Sequence, residues 1–147
     1  MLVPNRYVSF FGVSILAAGL ASCSSSKIDQ CNQLIDIANR AVTEVEAVTA
    51  ASEPDSRNAE AFASITETAQ QAASQLESID LNDEQLQTFR QRFIRLYRDT
   101  SEATEALVSA VEAQDLPAAE AAYEKLETAT GQEVPLVNEV NQYCQAT

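Results

Sequence analysis

The chain has 147 residues, a formal net charge of −13, no histidine, no tryptophan and only three glycines. Without histidine it lacks the usual general base, the Ser–His and Cys–His nucleophile pairs and the His ligands of helical di-iron sites, and it has no Gly-rich phosphate loop or Asp-x-Asp-x-Asp-Gly calcium loop. From these absences we expect a protein that is not an enzyme and needs no metal and no cofactor. Because such an acidic surface repels nucleic acid, we also expect that it binds no nucleic acid.

The first residues have the pattern of an export signal. Arg6 is the only basic side chain before an apolar stretch of about 14 residues, which is within the range of a signal peptide and shorter than a membrane-spanning helix. The stretch closes on Leu20-Ala21-Ser22-Cys23, which resembles the lipobox of bacterial lipoproteins. The resemblance implies cleavage between Ser22 and Cys23, attachment of a diacylglycerol to the Cys23 sulfur and, usually, acylation of the new amino terminus, for example with palmitate.

This pattern predicts the domain organisation and the location. Residues 1–22 are a lipoprotein signal peptide, residues 23–26 are the lipidated cysteine and a serine tether, and residues 27–147 form one domain. The lipid would hold the protein on an extracytoplasmic membrane face, in the periplasm, the thylakoid lumen or at the cell surface. Two alternatives stay open: a signal peptide cut nearby, with Cys23 an ordinary thiol, or an uncleaved anchor.

Apolar residues at alternating three- and four-residue spacing predict a first helix at 27–51 and a second at 55–79. The predicted core face of the first helix is Ile28, Cys31, Ile35, Ala38, Val42 and Val45, widened by Leu34, Ala41 and Val48. The core face of the second is Phe62, Ile65, Ala69, Ala72, Leu76 and Ile79. The turn Ser52-Glu53-Pro54-Asp55 separates them, because proline disfavours helix at the residue before it.

A third helix is predicted at 83–114, where Asn82 followed by Gln85 is typical of a helix start. Its predicted core face is Leu86, Phe89, Phe93, Leu96, Ala103, Leu107 and Ala110, with Thr100 as a polar interruption.

The last helix is predicted to begin at Asp115 as its cap, with Pro117 tolerated in the first turn. Its predicted core face is Leu116, Ala119, Tyr123, Leu126, Val137, Val140 and Cys144. Gly131 and Pro135 interrupt it, and a kink is favoured over a split because the apolar spacing keeps its phase.

Four such helices with short connections predict an all-α fold, an up-down-up-down antiparallel four-helix bundle. A three-helix bundle with a loosely attached first helix is the structural alternative.

Two cysteines test this topology. Cys31 and Cys144 fall on predicted core faces, and in an antiparallel four-helix bundle they lie at the same end. An exported protein is in a compartment that permits disulfides, and with Cys23 lipidated the remaining cysteines are an even pair. We therefore predict a structural Cys31–Cys144 disulfide; the alternative is two separately buried thiols.

Four of the nine basic residues cluster in the third helix: Arg90, Arg92, Arg95 and Arg98. One interpretation is a solvated face, with Arg95–Asp99 and Arg98–Glu102 pairs along the helix or with acidic neighbours on other helices. The other is a candidate partner-binding site, because arginine suits bidentate contact with carboxylate or phosphate.

Beyond the lipobox, the chain resembles small helical lipoproteins of cyanobacteria, a group without an established activity. The residues that carry the resemblance are Cys23-Ser24-Ser25-Ser26, Gln30-Cys31-Asn32, Arg92-Phe93-Ile94-Arg95-Leu96-Tyr97 and Asn141-Gln142-Tyr143-Cys144. It implies architecture and location. We expect an accessory or protein-interaction module that docks onto a membrane complex or envelope protein; the alternative function is a helical carrier for a small ligand or a cation.

Overall fold

The computed structural model describes residues 26–51 and 59–146, and within these ranges the chain forms helices and no strand. The five helices are α1 Lys27–Ala51, α2 Ala59–Ser78, α3 Glu84–Glu112, α4 Leu116–Thr130 and α5 Glu133–Gln145. The predicted all-α helical bundle is confirmed, and α4 and α5 take the place of the predicted fourth helix. The predicted signal peptide, Cys23 and the predicted Ser52–Asp55 turn lie outside the described residues.

Polar contacts define how neighbouring helices run. The Gln70 amide of α2 donates to Glu105 of α3 at 2.9 Å, and Glu77, later in α2, pairs with Arg98, earlier in α3, so these two helices are antiparallel. The same argument makes α3 and α5 antiparallel, since Arg92 pairs with Glu139 while the earlier Asp83 accepts from the later Tyr143. The up-down-up-down order of the complete bundle stays a prediction.

The N-terminal cap of α4 is the predicted residue, whereas the cap of α3 is one residue later than predicted. Asp115 caps α4 as predicted, accepting from the Ala118 amide at 3.1 Å. The cap of α3 is Asp83 and not Asn82, because the Asp83 carboxylate accepts from the Leu86 amide at 2.9 Å. The Asp83 carboxylate also lies next to the positive end of the helix dipole, which favours its negative charge there.

The predicted core face of α1 is confirmed in large part, with Ile37 buried in addition and Ile28 exposed. Cys31, Leu34, Ala38 and Ala41 are buried, whereas Ile28 is 57% exposed. These buried positions follow a spacing of three, four and three residues. The core begins at Cys31, and Ile28 lies about one turn before it, outside the core.

The predicted core face of the last helix was wrong in its first half. Leu116 and Tyr123 are 79% and 57% exposed, and the buried positions are instead Ala122, Ala129 and Leu136. These three are each seven residues apart, one position away from the predicted face. Helix α4 packs along α3, and small side chains at the contact allow two helix backbones to approach closely.

The kink predicted at Gly131 and Pro135 was also wrong, because the helix divides into two. Gly131 and Gln132 form a turn between α4 and α5, in which the Gln132 amide donates to the Ala129 carbonyl at 3.2 Å. Pro135 has no amide hydrogen and cannot donate to the Gly131 carbonyl four residues earlier, so the regular ladder is not continued there.

The core has two parts of different composition. Large side chains fill the part beside the cysteines, where Leu34, Leu76, Leu86, Phe93 and Val140 are fully buried. Farther along α3 the buried residues are small: Thr100, Ser101, Ala103, Thr104 and Ala110. Thr100 and Thr104 donate to the carbonyls of Leu96 and Thr100, which satisfies the polar interruption within the helix.

Candidate functional site

The Cys31 and Cys144 sulfurs lie at disulfide distance, 2.13 Å apart, with their Cα atoms 6.1 Å apart. Cys31 is in the second turn of α1 and Cys144 is near the end of α5, so the two ends of the domain meet, as predicted. The geometry lies within the range of protein disulfides. Helix α1 begins at this end of the bundle, four residues after Cys23 in the sequence.

Next to the cysteines, side chains hold the connection between α2 and α3. The buried Gln30 carbonyl Oε1 accepts from the backbone amides of Asn82 and Asp83, at 2.6 and 3.1 Å. From the other side, Arg90 donates to the Ile79 carbonyl at 2.7 Å and Gln87 donates to the Leu81 carbonyl at 2.7 Å. We call this set of contacts the loop clamp; it fixes the connection to α1 and α3.

Tyr143 of α5 completes this end. Its hydroxyl donates to the Asp83 carboxylate at 2.8 Å, its ring meets Phe89 edge to face at 5.8 Å, and the Lys27 ammonium lies 3.9 Å from the ring centroid. The Leu86 backbone amide and then the Tyr143 hydroxyl lower the pKa of Asp83. The same hydrogen bond raises the pKa of Tyr143, because the phenol donates to a carboxylate.

Two of the four arginines form ion pairs with glutamates of neighbouring helices. Arg92 makes a bidentate contact with Glu139 of α5, with Nη2 at 2.8 Å from Oε1, and Arg98 pairs with Glu77 of α2. The hydrogen bond from Glu139 raises the pKa of Arg92, and the same bond lowers that of Glu139. The two contacts tie α3 to the helices on either side of it.

The expected pairs along α3 were wrong. Arg98 contacts Glu77 rather than Glu102, and Arg95 makes no ion pair with Asp99 or with any other carboxylate in the described part of the chain. An acidic neighbour on a packed helix is held in place by the fold, whereas an i,i+4 pair on one exposed helix is worth only a few tenths of a kcal/mol. Arg90 serves the loop clamp, so only Arg95 keeps an exposed, unpaired guanidinium.

The outer surface of α4 carries exposed apolar side chains. Leu116 and Tyr123 are seven residues apart and share one face, on which Glu120 and Glu127 alternate with them, and all four are exposed. We call Leu116, Glu120, Tyr123 and Glu127 the α4 outer face. Leu116 and Tyr123 are thus two exposed apolar side chains on one helix face, each followed by a carboxylate.

An interior groove of about 240 Å³ lies between α1, α2, α3 and the junction of α4 with α5. Its walls are mainly apolar, formed by Ala41, Val42, Val45, Ile65, Ala69 and Leu96, with Thr68, Thr100 and Thr130. Its charged lining residues are Glu46 and Glu133. The buried Tyr97 also lines it, and the Tyr97 hydroxyl donates to Glu133 Oε1 at 3.0 Å.

The groove changes the acidity of both members of this pair. Burial raises the pKa of Glu133, and the hydrogen bond from Tyr97 opposes that effect only in part. Burial and then the nearby Glu133 charge raise the pKa of the Tyr97 phenol. A carboxyl group is therefore held in apolar surroundings with one oxygen already hydrogen bonded.

The sequence reasoning missed Glu133 and the groove. Tyr97 is a buried core residue whose hydroxyl donates to Glu133. Glu133 lies four residues after Ala129 and three before Leu136, on a buried seam that becomes visible only once the packing of α4 and α5 is known.

In the described residues no cluster of three or more potential metal ligands occurs. None of the helices described is both long enough and apolar enough to cross a membrane. Comparison with family models, with curated proteins and with solved structures finds no match to this chain.

Proposed function

We propose that this protein is a lipid-anchored extracytoplasmic lipoprotein that acts as a non-enzymatic interaction module through the α4 outer face. The lipobox at Leu20–Cys23 and the cysteine pair at disulfide distance support an exported, membrane-attached chain. The absence of histidine from the sequence supports a role in binding rather than in catalysis.

The observation that carries the proposal is the pattern of the α4 outer face. Leu116 and Tyr123 offer apolar anchors two helical turns apart, and Glu120 and Glu127 offer a negative charge after each anchor. A basic amphipathic segment of a partner protein matches this pattern, with apolar residues on Leu116 and Tyr123 and lysine or arginine beside the two carboxylates.

The position of this face fits an anchored protein. Helix α3 has 29 residues and spans about 43 Å from the end beside Cys31 and Cys144 to the turn that precedes Leu116. The α4 outer face therefore begins at the end of the bundle farthest from the residues that follow Cys23, where a partner can reach it without contact with the lipid surface.

The arginines of α3 are less suited to a partner. Arg92 and Arg98 would first have to break their contacts with Glu139 and Glu77, and Arg90 its contact with the Ile79 carbonyl. The hypothesis that Arg90, Arg92, Arg95 and Arg98 bind a partner stays a prediction, and the following experiment compares the two surfaces directly.

A photo-crosslinking amino acid is placed at position 123 or at position 95 of the full-length protein in its native membrane. Position 123 is expected to give one crosslinked product, whose partner peptide, identified by mass spectrometry, is rich in lysine or arginine. The double variant Glu120→Lys/Glu127→Lys is expected to abolish that product, because it removes the charge complementarity.

A product from position 95 and none from position 123 would transfer the binding role to the arginines. No product from either position would contradict an interaction module. Mass spectrometry of the amino-terminal peptide in the same samples tests the anchor: a diacylglycerol-modified Cys23 is expected, and an unmodified amino-terminal peptide that contains residues before Cys23 would contradict it.

A further inference from the structure

The interior groove goes beyond the proposed docking function, because it lies inside the bundle and not on the α4 outer face. A well-packed bundle leaves few internal spaces larger than a water molecule. Here about 240 Å³ remains beside apolar side chains of three helices. An engineered apolar cavity of about 150 Å³ is large enough for benzene, so this groove can take one aromatic ring with a short side chain.

The Glu133 carboxylate gives the groove a polar end. Oε1 accepts from Tyr97, which orients the carboxylate, and Oε2 accepts no hydrogen bond from the described residues. Tyr97 has donated its only hydroxyl hydrogen. The remaining hydrogen-bonding capacity at this end is therefore that of an acceptor with negative charge.

The charge of the lining selects among ligand classes. Of the described residues that line the groove, those that carry charge are Glu46 and Glu133, and neither lysine nor arginine is among them. A fatty acid or another anion would place its charge next to the Glu133 carboxylate, and no lysine or arginine is among the described lining residues. A ligand with an ammonium group instead gains a charge-assisted hydrogen bond at Glu133.

We propose that this groove binds a small amphiphilic amine, with its ammonium group at Glu133 and its apolar body against Val42, Ile65 and Leu96. This is the chemistry expected of the carrier that the sequence left as the alternative function. It is independent of the docking surface, since it uses other residues on other faces of the helices.

The test uses the full-length protein with ¹³C-labelled isoleucine and leucine methyl groups in lipid nanodiscs. The probes are 2-phenylethylammonium, neutral 2-phenylethanol and anionic 3-phenylpropionate, which share an aromatic ring and differ in charge. We expect 2-phenylethylammonium to shift the methyl signals of Ile65 and Leu96 saturably, and to leave those of Leu34 and Leu86, in the part of the core beside the cysteines, unchanged.

Two variants assign the contacts. Glu133→Gln is expected to weaken 2-phenylethylammonium about tenfold and to leave 2-phenylethanol unchanged, while the exposed matched control Glu112→Gln keeps wild-type affinity for both. Val42→Phe fills the groove and should remove the response to every probe. Unchanged Leu34 and Leu86 signals show that each variant is folded.

The proposal is overturned if no probe gives saturable shifts at Ile65 and Leu96, if 3-phenylpropionate binds as tightly as the ammonium probe, or if Glu133→Gln binds that probe as tightly as the wild-type chain. Should Glu133→Gln fail to fold, the Val42→Phe result and the comparison of the three probes decide. Crosslinking at position 123 does not depend on these outcomes, so the docking function can fail or stand separately.

Discussion

At the scale of single residues, a few polar side chains fix one end of this bundle. Gln30 is buried in α1, yet both of its described acceptor contacts are to the backbone between α2 and α3. The Gln30 side chain satisfies two backbone amides that would otherwise need water as their partner. It therefore holds the connection between α2 and α3 in one conformation, although the connection contains no regular secondary structure.

Replacing Gln30 with alanine should therefore destabilise the fold. The Asn82 and Asp83 amides would lose their protein acceptor, which costs about 1–3 kcal/mol. Urea unfolding followed by circular dichroism measures this, with the exposed Gln33→Ala in the same helix as the matched control. Equal midpoints for the two variants would show that the loop clamp contributes nothing to stability.

The Glu133 carboxyl predicts a dependence of stability on pH. Its pKa in the folded protein is raised by burial, so its favourable contribution is complete below the ordinary carboxyl pKa and is lost as pH rises through the raised value. Glu133→Gln should consequently be more stable than the wild-type protein near neutral pH, and this advantage should shrink as the pH falls toward the ordinary range.

Unfolding free energies between pH 4.5 and 7.5 test this. The window ends near the pH at which Asp83 and Glu139, whose pKa values are lowered, begin to lose their own stabilising contributions. Subtracting the wild-type curve removes effects common to both proteins, and Glu112→Gln is the exposed control. An unchanging difference between Glu133→Gln and wild type across the window would contradict the burial argument.

At the scale of elements, the end of α3 is the one place where the described backbone accepts an unfavourable conformation at a non-glycine residue. Gln114 has a φ of 57°. Its amide donates to the Val111 carbonyl at 3.1 Å, and the Asp115 amide donates to the Ala110 carbonyl at 2.9 Å. This is the helix-ending pattern in which glycine is preferred at the left-handed position.

Gln114→Gly should thus stabilise the protein by about 1 kcal/mol, because glycine avoids the cost of a left-handed backbone. The matched control is Gln132→Gly in the next turn, where φ is −83° and glycine removes no strain. Thermal unfolding should give a higher midpoint for the first variant and an equal or lower one for the second. The reverse order would exclude backbone strain at Gln114.

Elements also show how much the sequence could predict. The helical period predicted the first three helices and a helical stretch over α4 and α5, but not the division between these two. Spacing together with the expected compartment predicted the Cys31–Cys144 pair. The α4 face could not be predicted by hydrophobicity alone. Tyr123 and Leu116 have a larger apolar surface than Ala122, but the close approach of α3 favours the smaller side chain. That choice depends on the neighbouring helix and cannot be read from α4 alone.

At the scale of the whole molecule, the stability of the bundle is unevenly distributed. Large buried side chains, the loop clamp and the cysteine pair lie at one end, while the buried residues in the second half of α3 are alanine, serine and threonine. The groove lies where the composition of the core changes. Neither the groove nor Glu133 could be located from the sequence, because both depend on which helices meet.

The cysteine pair predicts a strong response to reducing agent. A disulfide between residues 113 positions apart restricts the unfolded chain, and a loop of that size contributes up to about 4.7 kcal/mol in the chain-entropy model. Reduction should lower the thermal midpoint of the wild-type protein, whereas the double variant Cys31→Ser/Cys144→Ser should start lower and not respond. A wild-type midpoint insensitive to reductant would indicate two separate thiols.

The position of Cys31 also has a mechanical consequence. Tension applied to the segment before α1 acts first on Lys27 and, five residues into the helix, reaches Cys31. A covalent link at Cys31 passes that load directly to Cys144 at the end of α5, so α1 beyond its second turn is not peeled away from its neighbours. A chain pulled through the segment before α1 would therefore share the load between α1 and α5 at the cysteine pair, instead of unwinding α1 from its first turn.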